Sequence, residues 1–102
     1  MLASFSVLPV GVGEALSGYV AKIISIIDES GIDYSLGSMS TTVEGSEEEV
    51  IGLIMKCHAA ALEMAPRVLT SITIDDRRGA DGRLTGKIED VERVLGRKVK
   101  HG

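Results

Sequence analysis

Four consecutive charged residues, Asp75-Asp76-Arg77-Arg78, form the most conspicuous group of potentially reactive side chains in this sequence. Arginine guanidinium groups suit phosphate or carboxylate, so the cluster could hold a phosphorylated ligand. Acidic and basic residues side by side usually neutralise each other, however. We therefore favour ion pairs between these aspartates and arginines, within one subunit or between subunits. In that interpretation Asp76 and Arg77 are interface residues.

Hydroxyl side chains make up a second chemical group, and they recur on segments that alternate like strands. A hydroxyl both donates and accepts hydrogen bonds, so several converging hydroxyls would form a polar binding pocket. Serine and threonine are also common on sheets because a polar face meets water, and threonine favours strands. Both interpretations remain open for the six candidates, which are Ser6, Ser38, Ser40, Thr41, Ser71 and Thr73.

Cys57 and His58, with Glu63 nearby, are the one place where a nucleophile and a base can be imagined. Adjacent residues of a helix point about 100° apart, so these two side chains cannot face each other. Cys57 lies on an apolar stripe and is expected to be a buried thiol. His101 is far away in the tail, which leaves no metal-ligand spacing. We therefore predict no catalytic residues, no metal and no cofactor.

The length and composition predict a single globular domain. We assign this domain to residues 1–102, with residues 97–102 as a basic tail. The net charge of −4 argues against binding to nucleic acid or anionic membrane, and 3% aromatic residues leave little for base stacking. No apolar run approaches the roughly 18 residues of a membrane span. The single cysteine fits a reducing cytoplasm.

The first half of the sequence predicts one helix between strands. Alternation predicts a strand at 2–10, and apolar residues at helical spacing predict a helix at 14–30. The extended region that follows is broken near Gly37, which divides it into strands near 33–38 and 40–44.

The second half predicts a helix, a strand and a further helix. Ser46 and Glu49 have the spacing of a capping box, and the helix that they begin ends before Pro66. An alternating segment at 67–75 predicts the last strand. Thr85 then caps a short final helix, which carries apolar residues at helical spacing, Ile88, Val91 and Leu95.

This order of elements predicts an α+β fold, a ferredoxin-like split βαβ sandwich (βαββαβ) with an antiparallel sheet and a C-terminal extra helix. Helices cover one face of such a sheet, and Val68, Ile72 and Ile74 of the last strand are expected to pack against them. The other face stays bare in a monomer, so we predict a dimer or tetramer. That face carries Ser4, Ser6, Leu8, Leu69, Ser71 and Thr73.

Three strings, SVLPVGVG, GSMSTTVEG and TSITIDDR, together resemble the thiamine-binding family of the YkoF-like superfamily. The resemblance covers nearly the whole chain, including Gly86-Lys87 before the final helix. It implies a ferredoxin-like fold, association into dimers and commonly tetramers through the sheets, and binding of thiamine or its hydroxymethylpyrimidine portion without catalysis. The alternative is a structural or regulatory oligomeric module that binds no small molecule.

Placing the candidate residues on that fold gives a hypothesis for the ligand site. A pyrimidine has ring nitrogens and an exocyclic amine, so hydroxyls can pair with it, and Glu44 or Asp75 can accept from the amine. Met39 can pack on a flat ring, although methionine is more often a core filler. The predicted ligand-binding residues are Ser6, Ser38, Met39, Ser40, Thr41, Glu44, Ser71, Thr73 and Asp75.

Overall fold

The computed structural model describes residues 1–12 and 16–78. The predicted last helix and the basic tail lie outside these residues, as does the predicted start of the first helix at Glu14. The elements, in chain order, are β1 (Leu2–Val10), α1 (Leu16–Glu29), β2 (Asp33–Leu36), β3 (Thr41–Glu44), α2 (Glu47–Met64) and β4 (Arg67–Asp75).

The four strands form one antiparallel sheet in the order β2-β3-β1-β4. β1 is an inner strand, where Phe5 lies opposite Thr41 of β3 on one side and Ile72 of β4 on the other. Both helices cover the same face of the sheet. This order and pairing confirm the predicted α+β, ferredoxin-like architecture.

The start and end of α2 follow from its local sequence. The Ser46 hydroxyl accepts from the Glu49 amide at 3.1 Å, and the Ser46 amide donates to the Glu49 carboxylate at 2.9 Å. These bonds from Ser46 lower the pKa of Glu49, because they favour its charged form. The helix ends at Met64, two residues before Pro66, so the predicted capping box and stop are confirmed.

The core lies between the helices and the inner part of the sheet. Every residue of the main buried cluster is apolar or nearly so, and α2 contributes the most side chains. The cluster consists of Ala3, Phe5, Tyr19, Ile23, Ile27, Val43, Val50, Leu53, Ile54, Cys57 and Ala61. Of the described helices, none is long and apolar enough to cross a membrane.

β4 is only partly covered by the helices. Val68 packs against the core as predicted, and Thr70 contacts His58 of α2. Ile72 is 42% exposed and Ile74 is 48% exposed, so the prediction that they pack against the helices is wrong. The physical reason is that β4 is an outer strand of the described sheet, so these two side chains, beyond the Thr70 contact with α2, stay about half exposed.

Candidate functional site

A cavity of about 280 Å³ lies between α1 and the turn that joins β2 to β3. We call it the α1 cavity. Tyr19, Ile23 and Ile27 of α1 line it and also belong to the buried core. Most of its lining is apolar, and it is made of Phe5, Ser6, Val7, Tyr19, Val20, Ile23, Ile24, Ile27, Leu36, Gly37, Met39, Ser40 and Thr41.

One wall of the α1 cavity is the turn from Gly37 to Ser40. The Gly37 amide donates to the Ser40 carbonyl at 2.9 Å, and a Cβ on Gly37 would lie only 2.9 Å from that same oxygen. Glycine is therefore required there. The Ser4 hydroxyl donates to the Ser40 hydroxyl at 2.9 Å, which ties the turn to β1. Met39 stands at the tip of the turn and is 89% exposed.

The polar groups of the α1 cavity come from three elements. Thr41 lies opposite Phe5, so its side chain belongs to the face of the sheet that the helices cover. Ser6 and Ser40 also line the cavity, but Ser6 alternates with Phe5 and lies opposite Ser71, and the Ser40 hydroxyl is bonded to Ser4, so both hydroxyls belong to the face that the helices do not cover. A few hydroxyl-bearing residues among aliphatic and aromatic walls are the composition of a small-molecule site.

Tyr19 lines the cavity on the side of the core. Its hydroxyl is buried and has no hydrogen-bond partner among the described residues. Burial raises the pKa of Tyr19, and the neighbouring Cys57 raises it further, so the phenol stays protonated at neutral pH. An unsatisfied buried hydroxyl destabilises a protein by about 1–3 kcal/mol.

The structure brings together four of the nine residues predicted to bind a ligand. Ser6, Met39, Ser40 and Thr41 all line the α1 cavity. Ser38 belongs to the same turn but is exposed at its tip and does not line the cavity.

The other four lie elsewhere. Ser71 and Thr73 are exposed on β4, opposite Ser6 and Ser4, on the face of the sheet that the helices do not cover. Glu44 and Asp75 both lie opposite Leu2, and Glu44 is about 10 Å along its strand from Thr41 at roughly 3.3 Å per residue. These residues do not converge with the cavity.

Sequence reasoning missed the part of the site that α1 provides, which is Tyr19, Val20, Ile23, Ile24 and Ile27. A signal was present, because the apolar positions of this helix form a wide arc rather than a narrow stripe. An arc wider than the sheet can cover leaves some side chains to line a cavity.

The charged cluster is at the opposite end of the sheet from the α1 cavity. Asp76, Arg77 and Arg78 are exposed, and Asp76 lies 3.9 Å from the N-terminal amine of Met1. The same amine donates to the Gly45 carbonyl at 2.8 Å. Asp76 therefore helps to fix the N-terminus.

Cys57 and His58 point in different directions. Cys57 is fully buried, and burial raises the pKa of its thiol to about 11. The Nδ1 atom of His58 lies 2.6 Å from the Thr70 hydroxyl, towards β4. Within residues 1–12 and 16–78, no three His, Cys, Asp or Glu side chains are grouped to hold a metal ion.

A ferredoxin-like domain with an apolar cavity and a few polar groups in its wall has the general composition of a small-molecule binding domain. The family model described as Thiamine-binding protein matches residues 3–92 of the chain. The chain therefore belongs to the thiamine-binding protein family, which confirms the resemblance seen in its sequence.

Relatives with similar sequences occur in distant organisms. A UPF0045 protein of Mycobacterium bovis is 36% identical over 96 residues, which cover 93% of this chain and 94% of the relative. The UPF0045 protein YqgV of Bacillus subtilis is 34% identical over 100 residues, covering 92% and 96% of the two chains.

Solved structures share the fold. A hypothetical protein of Methanocaldococcus jannaschii superposes with a TM-score of 0.80 at 27% identity, over 88% of this chain and 93% of that one. A Thermotoga maritima protein, assigned provisionally to thiamine biosynthesis or salvage, superposes with a TM-score of 0.77 at 24% identity. It covers 88% of this chain and 96% of its own length, and it supports the fold.

Proposed function

We propose that this protein binds thiamine through its hydroxymethylpyrimidine portion in the α1 cavity, without catalysing a reaction. The observation that carries the proposal is an apolar cavity with Thr41 in its wall, in a chain of the thiamine-binding protein family. Its volume of about 280 Å³ is just below the usual range for small-molecule sites, which is about 300 to 1,000 Å³. A single substituted ring suits this volume better than both rings of thiamine.

The chemistry of the walls fits the two surfaces of a pyrimidine. Its flat faces would pack against Tyr19 and Ile23, while its ring nitrogens and exocyclic amine would pair with the hydroxyl of Thr41 and neighbouring polar groups. Met39, exposed at the tip of the turn, is placed to cover the ring from the solvent side.

The thiazolium ring of thiamine would then remain outside the cavity mouth. This ring is cationic, and the protein carries a net charge of −4, so the field around the protein attracts it. Phosphate groups attached beyond the thiazolium would lie still further out. The pyrimidine would therefore supply most of the affinity.

Calorimetric titration tests this proposal with four compounds. Hydroxymethylpyrimidine, thiamine and thiamine phosphate are expected to bind with dissociation constants within about tenfold of one another, which is 1.4 kcal/mol. The thiazole alcohol that forms the other half of thiamine is expected not to bind. If none of the three pyrimidine compounds produces heat or raises the melting temperature, the proposal is wrong.

We also propose that the protein associates with itself through the bare face of its sheet. Leu8 and Leu69 lie directly opposite each other on this face, and both are about half exposed. A second copy would remove them from water in a dimer or tetramer. The buried free thiol of Cys57 agrees with a reducing cytoplasm as the place of action.

The same leucine pair favours the second candidate function, an oligomeric interaction module that binds no small molecule. The two functions differ in what they require of the α1 cavity. Self-association without any binding of the pyrimidine compounds would support the module and exclude the binding function.

A further inference from the structure

Tyr19 belongs both to the wall of the α1 cavity and to the buried core. It is 4% exposed, and its hydroxyl is buried without a hydrogen-bond partner. Within residues 1–12 and 16–78, no other buried side-chain oxygen or nitrogen is left unpaired in this way. Because buried polar groups in proteins are nearly always hydrogen-bonded, an exception calls for a functional explanation.

The core does not supply the missing partner of the Tyr19 hydroxyl. Every other buried residue within the described ranges is apolar, apart from the thiol of Cys57. Burial, and then the nearby Cys57, raise the pKa of Tyr19, yet the thiol makes no hydrogen bond to the phenol. A polar partner therefore has to come from the cavity that Tyr19 lines.

The unpaired hydroxyl needs a hydrogen-bond acceptor more than it needs a donor. A protonated phenol has one O–H donor, and its oxygen can also accept. If the Tyr19 oxygen accepted a bond from a ligand amine, its own O–H would still lack a partner among apolar side chains. A bond to an acceptor removes that unpaired donor. The cavity therefore favours a ligand with an acceptor at its buried end.

The wall around Tyr19 leaves little polar competition for such a bond. Ile23 and Ile27 follow Tyr19 at intervals of four residues, so the three share one side of α1, and all three line the cavity. Phe5 of β1 adds a further buried apolar side chain to the lining. A hydrogen bond in such apolar surroundings is stronger than one in water, and leaving it unmade costs more.

We propose that the Tyr19 hydroxyl determines the specificity of the α1 cavity by donating to a hydrogen-bond acceptor at the buried end of the ligand. This role rests on the proposed function and adds the chemistry that the ligand must carry. In a pyrimidine the acceptor is a ring nitrogen. A ring of the same shape without nitrogens leaves the hydroxyl unpaired and is bound more weakly.

Titration of three proteins with two ligands tests this role. The ligands are hydroxymethylpyrimidine and its benzene analogue, in which CH groups replace both ring nitrogens. The preference of wild type for the pyrimidine is expected to be at least about tenfold larger than that of Tyr19→Phe, because only the hydroxyl distinguishes the two proteins. Tyr34→Phe is the matched control and should keep the full preference, since Tyr34 bonds to Asp28 and does not line the cavity.

Thermal unfolding of the unliganded proteins tests the unpaired hydroxyl without any ligand. Tyr19→Phe removes a buried polar group that has no partner, so its melting temperature is expected to rise by about 4 °C or more. Tyr34→Phe removes a hydroxyl that is bonded to Asp28 at 2.8 Å, and no rise is expected. A melting temperature of Tyr19→Phe at or below that of wild type would show that the hydroxyl is already paired and would overturn the proposal.

The titration also separates failure of this role from failure of the proposed function. If wild type binds hydroxymethylpyrimidine and Tyr19→Phe keeps the wild-type preference over the benzene analogue, the role of Tyr19 is wrong and the proposed function stands. If wild type binds neither hydroxymethylpyrimidine nor thiamine, both are wrong.

Discussion

The α1 cavity and the bare face of the sheet both carry hydroxyl groups, but the surroundings of these groups differ. Thr41 belongs to a concave wall with Tyr19 and Ile23. Ser71 and Thr73 are exposed on a strand, where water satisfies them. A hydrogen bond is stronger where apolar walls exclude competing water. Under the proposed function, curvature and surroundings, rather than residue type, therefore decide which hydroxyls can recognise a ligand.

The largest expected effect comes from filling the cavity. Val20→Trp places an indole at the mouth, and we expect hydroxymethylpyrimidine affinity to fall about 100-fold or more, equivalent to about 2.7 kcal/mol. The matched control is Ala21→Trp, because Ala21 is exposed on the same helix and does not line the cavity. Calorimetry on both variants measures the effect. Wild-type affinity in Val20→Trp would show that the ligand binds elsewhere.

A charge on the bare face should act on assembly instead. Leu8→Asp would put a carboxylate opposite Leu69 in the proposed interface, where an unpaired buried charge costs several kcal/mol. Light scattering is expected to show a monomer for this variant and an oligomer for wild type and for the exposed-site control Ala21→Asp. Hydroxymethylpyrimidine binding should survive if each subunit forms its own cavity. An unchanged mass would remove this face as the interface.

The smallest expected change in affinity comes from removing one hydroxyl, and it should differ between two adjacent threonines on β3. Thr41→Val removes a hydroxyl from the cavity while keeping the side-chain shape, and we expect affinity to fall about tenfold, or 1.4 kcal/mol. Thr42→Val makes the same change opposite Ser4, on the other face, and should leave affinity unchanged. Titration of both variants decides the matter. Equal losses, or a larger loss in Thr42→Val, would favour the bare face.

Much of the fold could be predicted because its signals are local. The capping box of Ser46 and Glu49, the break at Gly37 and the stop before Pro66 each depend on residues close in the sequence. Strand alternation likewise assigned Ser71 and Ile72 to opposite faces of β4. These features need no knowledge of how the elements pack.

The site was harder to predict because it depends on distances between elements. Alternation gives the face of a strand but not the helix above it, so Ile72 and Ile74 were expected to be covered and are not. The α1 cavity is formed by residues of β1, α1 and the turn between β2 and β3 together, which no local pattern records. The position of Thr41 was nevertheless available, since it shares a face with Val43, a core residue.

A crystal structure of the protein with hydroxymethylpyrimidine would show directly whether the ring binds in the α1 cavity. We predict ring density in the α1 cavity, between Tyr19 and Met39, with a polar edge of the ring within hydrogen-bond distance of the Thr41 hydroxyl. Ring density on the bare face, beside Ser71 and Thr73, would contradict this account.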